Sequence, residues 1–389
     1  MRMRPLLILC FAVLLLAAAR GSSQAQSAGP HGSIPAAPVT LENGEFECPA
    51  YVDGADERGA RIRIPQGWTL TNLAGETPVV YSAREWYAGS CESDAWVERL
   101  EGRDALVLRA QDLETPPAPG KPFDAALSQQ VTVEPGGAYS VSAWFVSLCG
   151  GSFSAPNDCP EGVYMAKLLG LDPQGGMDAA ADSVQWVENR ANFVGEDGRT
   201  RVGWQNLRVA AVAESDSMTV FARVNSPFQW HGNHAFVDAV KIVRAPAAMF
   251  ASLPATSDAN PLSLAWNSEQ SPDVIALGGT YRLYVDIEVR PENGEWRALL
   301  TDGGETGAIG FAPRCTNIRY EFRLRARAEQ PPAEEAGEGA WPNHRFPGVW
   351  SEPVGVYFTA PTGPTTTRTE AGSLLWDIFL PIVASTPDC

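Results

Sequence analysis

The chain has 389 residues, 36 of them glycine and 31 proline, and a formal net charge of −17. That length exceeds the usual size of one domain. The negative charge excludes nucleic acid as a partner, because its phosphates would be repelled.

Arg2 and Arg4 precede an unbroken apolar run from Leu6 to Ala19, and Ser23-Gln24-Ala25 follows with small residues. This order of charge, apolar run and small-residue site reads as a secretory signal peptide over residues 1–25. The run is shorter than the roughly 20 residues a bilayer core needs, so no transmembrane helix is expected in the mature chain. The expected location is secreted, with cell-surface association as a further option. Residues 26–40 are a Ser/Ala/Pro/Gly leader without periodicity.

From Leu41 to Arg244 short alternating apolar runs are separated by turn residues. Strands are expected at Gln129–Val133, Tyr139–Phe145, Val202–Ala213, Met218–Val224 and Ala235–Val243, and no helix of useful length. Many short strands with Gly/Pro turns predict an all-β sandwich or jelly roll over residues 41–245. A second β-sandwich of immunoglobulin size is expected over residues 250–360, with strands at Leu262–Trp266, Tyr281–Arg290, Trp296–Leu300, Ile318–Ala328 and Gly355–Thr359. The Glu/Pro/Gly-rich stretch Glu329 to Pro347 reads as a solvated insertion. A Thr/Pro/Gly linker (361–373) then leads to an apolar tail (374–389) too short to span a membrane. That tail is expected to dock, either on the chain's own sandwich or on another molecule.

The second sandwich also carries a register expectation. Tyr281–Arg290 and Ile318–Ala328 each alternate charged and apolar residues. One antiparallel alignment sets Asp286 opposite Arg325, Glu288 opposite Arg323 and Arg290 opposite Glu321, with Ile287 against Leu324 and Val289 against Phe322. A slide of two residues either way places like charges opposite each other.

Beyond the signal stand Cys48, Cys91, Cys149, Cys159, Cys315 and Cys389. In an exported chain they are disulfide candidates. Cys149 and Cys159 bracket one loop and are expected to pair, and Cys48 with Cys91 is a plausible second bridge. No C-x-x-C, G-x-S-x-G or H-E-x-x-H motif is present. His231 and His234 could ligate a metal but have no acidic neighbour.

Asn43-Gly-Glu-Phe-Glu47, Pro65-Gln-Gly-Trp68, the run Gln130 to Trp144 and Ala235-Phe-Val-Asp-Ala-Val240 together resemble the jelly-roll carbohydrate-binding modules of families four and nine. Trp266, Tyr281 to Arg290, Trp296, Tyr320 to Ala328 and Trp350-Ser-Glu-Pro resemble a fibronectin type III domain, an arrangement found in secreted bacterial surface proteins. The first resemblance implies a structural calcium ion held by Glu47 and Asp238, since a hard cation wants several oxygen ligands. The alternative is Asp238 paired with an arginine. In the family the closing strand often carries Asp-Asp where this chain has Asp-Ala.

Sugar recognition needs flat aromatic faces with polar groups nearby. Trp144 shares a strand face with Ser140 and Ser142, so it is either a stacking platform or a residue under a covering loop. Trp86, Tyr87, Trp96 and Trp230 lie in loop-like sequence and are the further ligand-binding candidates. The function expected is non-catalytic binding of extracellular glycan or polysaccharide by the first sandwich, with the second as a spacer. The alternative is a structural or adhesive surface component that binds another surface protein. A polysaccharide-active enzyme is the third option.

Overall fold

The computed structural model describes residues 38–55, 61–110, 122–148, 165–190, 203–227, 233–331 and 343–360. The expected signal peptide, the Cys149–Cys159 bridge, Trp230, His231, Cys389, the linker and the apolar tail lie outside the described residues. The chain is all-β, as its alternating pattern predicts, and the two helices among the described residues are short turns.

The first sandwich contains β1 (Tyr51–Ala55), β2 (Arg61–Pro65), β3 (Thr69–Gly75), β4 (Val79–Ser82), α1 (Ala83–Ala88), β5 (Leu106–Arg109) and β6 (Phe123–Thr132). It continues with β7 (Ala138–Leu148), β8 (Ala166–Asp172), β9 (Gln185–Asn189), β10 (Gln205–Val212), β11 (Ser217–Ser226) and β12 (His234–Arg244). One sheet runs β10-β7-β12-β5-β4, the other β3-β6-β11-β8-β9, and β1 and β2 form a separate hairpin. Between the sheets lies a core that includes Tyr139, Val141, Ala143 and Phe145, the inward face of β7. Burying every second residue of each strand is what two facing sheets require.

The second sandwich holds β13 (Ala247–Phe250), β14 (Thr256–Ser257), β15 (Leu262–Glu269), α2 (Pro272–Ala276), β16 (Arg282–Pro291), β17 (Arg297–Gly303), β18 (Thr306–Phe311), β19 (Ile318–Glu329), β20 (Arg345–Pro347) and β21 (Val354–Phe358). Its sheets run β13-β15-β18 and β14-β21-β19-β16-β17, and β20 pairs with β19. The β16–β19 register sets Asp286 on Arg325, Glu288 on Arg323, Arg290 on Glu321, Ile287 on Leu324 and Val289 on Phe322, as the charge pattern requires. Arg323 reaches Glu288 at 2.6 Å and Arg290 reaches Glu321 at 2.6 Å. The guanidinium of Arg323 also lies 4.3 Å from the centre of the Trp296 ring and 4.6 Å from that of Trp350. Burial alone would raise Asp286, but Arg327 and Arg325 outweigh it and hold its carboxyl below the ordinary range.

One expectation needs correction here. The stretch Glu329–Pro347 is not wholly solvated, since Asn343, His344 and Phe346 at its end are buried. His344 Nδ1 lies 3.0 Å from Ser142 Oγ on β7, and Phe346 shares an apolar cluster with Val243 of β12. The second sandwich, expected as a spacer, also packs on the first. Arg244 at the end of β12 pairs with Asp273 of α2 at 3.0 Å, so the sandwiches meet in a buried seam. Composition marks a stretch as polar, but packing decides whether its few apolar and amide residues find a surface to cover.

Candidate functional site

The two outer faces of the first sandwich differ in what covers them. On the β10-β7-β12-β5-β4 sheet, residues 83–105 form an excursion between β4 and β5. Val97, Leu100, Ala83 and Ala105 of this excursion pack with Trp144, Trp204 and Phe236 into a second apolar cluster. The remaining end of that face, with Ser140 and Ser142, lies in the seam. Trp144 is therefore buried, at 2% exposure, and of the two options the covering loop is what the structure shows. A stacking platform at Trp144 is ruled out in this arrangement.

Carboxylates pin the excursion from beneath. Asp238 Oδ2 accepts from Leu100 N at 2.7 Å and Glu101 N at 2.9 Å, and Oδ1 from Ala239 N at 2.6 Å. Glu47 Oε1 accepts from Arg103 N at 2.6 Å. Asp104 accepts from Arg84 N at 2.9 Å and from the Ser82 hydroxyl. Cys48 and Cys91 form the expected disulfide, their Cα atoms 5.5 Å apart. A bulge after Asp238, with Ala239 at φ 52°, breaks the strand alternation. Val240 consequently turns inward while Asp238 stays outward beside Phe236.

Glu47 and Asp238 are both engaged by backbone N–H groups of the excursion in this structure. N–H hydrogens face both carboxylates, and burial pushes Asp238 well above the usual carboxylate range despite its three N–H bonds. Among the described residues the three ligand atoms grouped closely enough for a metal are those of Cys48, Glu85 and Cys91, whose sulfurs already form the disulfide. Nor is Asp238 paired with an arginine in these contacts. A built-in cation ties the first segment to the closing strand instead. Lys241 Nζ pairs with Glu45 and lies 3.0 Å from Glu101 Oε2. Burial would lower its pKa, but Glu101 and Glu45 hold it above the ordinary lysine value.

The outer face of the β3-β6-β11-β8-β9 sheet carries the polar and aromatic constellation that sequence reasoning missed. Val187 faces the core, so its neighbour Trp186 on β9 faces outward. Its six-membered ring lies on Gly170, where a Cβ would come within 2.6 Å of it. Trp186 is half-buried and tilts against Phe221, with centroids 5.7 Å apart. Beside it, Arg223 of β11 forms a two-point pair with Asp124 of β6, at 2.7 and 2.6 Å, and its guanidinium lies 5.5 Å from the indole centre. Asn225 Nδ2 donates to Asp124 at 2.9 Å. Arg223 is held above its ordinary pKa, first by its hydrogen bond to Asp124. The signal available in sequence was the alternation Phe221-Ala-Arg223-Val-Asn225, which places arginine and asparagine on one strand face.

The remaining candidates stand elsewhere. Trp86 packs on Tyr81 at 5.2 Å with Arg109 over its ring at 5.2 Å. Tyr87 stacks on Phe236 at 6.1 Å and Trp96 projects from the excursion. These three belong to the side of the sandwich opposite Trp186, and Trp144 lies beneath them.

No family model matches the chain, and no curated protein matches it. Among solved structures it is similar to a family 61 carbohydrate-binding module in complex with β-1,4-galactotriose, at 17% identity over 46% of this chain and 88% of that one, with a TM-score of 0.27. A family 16 carbohydrate-binding module gives 15% identity, 37% and 78% coverage and a TM-score of 0.20. The adhesin domain of Epf from Streptococcus pyogenes gives 9% identity, 82% and 97% coverage and a TM-score of 0.26.

Proposed function

We propose that this chain is an exported, non-catalytic glycan-binding protein whose ligand lies on the outer face of the β3-β6-β11-β8-β9 sheet. The observation that carries the reading is Trp186, partly exposed on the glycine floor at Gly170 and flanked by the Asp124–Arg223–Asn225 network. An indole supplies the flat apolar face a pyranose ring stacks on, and the fixed amide, carboxylate and guanidinium supply directional partners for hydroxyls. The network is already satisfied internally, so its groups are oriented before a ligand arrives. In this reading the first sandwich is a carbohydrate-binding jelly roll and the second a fibronectin type III-like unit fixed to it. Export is supported by the Cys48–Cys91 bridge, a bond that oxidising compartments preserve.

The test is affinity electrophoresis of the mature chain in soluble polysaccharides, with Trp186→Ala alongside. Retarded wild type and unretarded variant are expected, without release of reducing ends. Released reducing ends would convert the reading to an enzyme. Wild type that no polysaccharide retards would move the assignment to surface-protein assembly.

A further inference from the structure

An edge strand offers unpaired N–H and C=O groups to any extended chain that meets it, so edges need guarding. Most edges among the described residues are guarded. β4 and β13 have four residues each, and β14 has two. β9 carries Glu188, β10 carries Arg208, and β17 carries Arg297 and Asp302. The β1–β2 hairpin holds Asp53, Arg61 and Arg63, and a register break between Asn72 and Ala74 distorts β3. Short length, charge and irregularity each disfavour pairing with a foreign strand.

β18 has none of these devices. Thr306-Gly-Ala-Ile-Gly-Phe311 is six residues long, uncharged and free of proline. It pairs with β15 without a break from Thr306 to Phe311. Among the described residues nothing pairs with its other edge, and Thr306, Gly307, Ala308 and Gly310 are exposed. The glycine at 307 is imposed from inside the sandwich, since a Cβ there would lie 2.5 Å from the Trp266 ring. Packing does not impose the lack of charge. Ile309 faces the core, so its neighbour Ala308 faces outward, where a lysine would fit as well as alanine.

We infer that β18 is a dimerisation edge, on which β18 of a second copy of this chain pairs antiparallel to extend the β13-β15-β18 sheet. The strand is self-complementary. About a two-fold axis through Ile309, Gly307 faces Phe311 of the second copy and Ala308 faces Gly310, so inward and outward residues keep their sides in both chains. No like charges meet, because the strand has none. The same axis brings Glu305, just before the strand, toward Arg314 of the second copy, just after it, once at each end. One short strand pair is a small interface, so the association is weak and concentration-dependent. The dimer presents two copies of the first sandwich to one long ligand.

Sedimentation velocity of the mature chain over about a hundredfold range of concentration tests the pairing. Wild type is expected to pass from monomer toward dimer. Ala308→Lys and Ala308→Glu, at an exposed position, are each expected to stay monomeric with unchanged melting. In each the two new charges repel diagonally across the axis, at about 7–8 Å. An equimolar mixture of the two variants is expected to dimerise again. Thr301→Lys on the guarded edge β17 is expected to behave as wild type. Monomeric wild type at every concentration would overturn the inference, and an edge reserved for a different protein would give that result. A dimer that persists in both Ala308 variants would overturn it too, by placing the interface elsewhere.

Discussion

Trp144 and Trp186 stand on the outer faces of opposite sheets of the same sandwich, and their fates differ. Trp144 lies under the 83–105 excursion at the centre of an apolar cluster. Trp186 lies on an edge strand, against a glycine, with guanidinium and amide groups beside it. The same side chain in the same kind of strand serves packing in one place and presents a ring in the other. What differs is not the strand but what crosses above it: one face receives an excursion and a second sandwich, whereas on the other the β8–β9 connection lays Ala179 and Val184 over Phe221 and leaves Trp186 partly exposed beside the Arg223–Asp124 pair. An aromatic on a polar strand face is therefore a site only where no other element arrives to bury it.

Substitution tests this contrast directly. Trp144→Ala should lower unfolding free energy by about 3–5 kcal/mol, the cost of emptying a well-packed aromatic position. Thermal or denaturant melting would read it, and an unchanged melt would contradict the buried role.

Acid should act on the seam of the covered face. Burial, with Lys241 nearby, pushes His344 down to about 3, against about 6.5 for an exposed histidine. The docked seam therefore favours the neutral imidazole. Its stabilisation is complete above pH 6.5 and declines as pH falls toward 3, by up to about 1.4 kcal/mol per pH unit until the seam opens. Small-angle scattering should show the sandwiches separating in that window, and His344→Gln should flatten the pH dependence. The histidine faces Ser142, Phe346 and Lys241; Glu101, paired with Lys241 and raised by burial, titrates in the same window, so the difference between wild type and His344→Gln isolates the imidazole. Separation at neutral pH, or none at pH 4 in wild type, would refute the assignment.

The cation tie beneath the excursion should give a smaller effect. Lys241→Met removes the ammonium between Glu45 and Glu101. The loss expected is about 1–3 kcal/mol, below that of a fully buried pair because these carboxylates are partly exposed. A calcium chelator should leave the wild-type melting temperature unchanged. A drop on chelation would restore a metal at Glu47 and Asp238.

The smallest stability effect belongs to Trp186→Ala, expected at about 1–2 kcal/mol, since its ring is only partly buried against Gly170 and the Phe221 cluster. The pairing of small stability loss with lost polysaccharide retention is the signature that separates the open face from the covered one. A large loss of stability there would make Trp186 another packing residue.

Local pattern alone determined the class of the fold and much of its detail. Period-two alternation placed β7, β11, β12, β16 and β19 close to their observed bounds, because a strand in one of two facing sheets turns every second residue to the core between them, whereas for β6 it marked only the end of the strand. The charge alternation in β16 and β19 fixed their register, since cross-strand neighbours in an antiparallel pair follow from the count of residues. The Cys48–Cys91 bridge was legible for a similar reason, two half-cystines within one compact unit. The candidate site was not. Trp144, Glu47 and Asp238 were singled out on their own strand or segment, whereas their environments are set by residues 98–105, far away in sequence. Asp238 could serve a cation or backbone amides equally well by type, and a bulge that flips Val240 inward leaves no mark in an alternating string. Trp186 drew no notice because its meaning depends on Gly170, Arg223 and Asp124, three other strands whose side chains meet only when the sheet forms. Strand identity is a one-dimensional property of this chain, while exposure is decided by whatever the rest of the chain lays across each face.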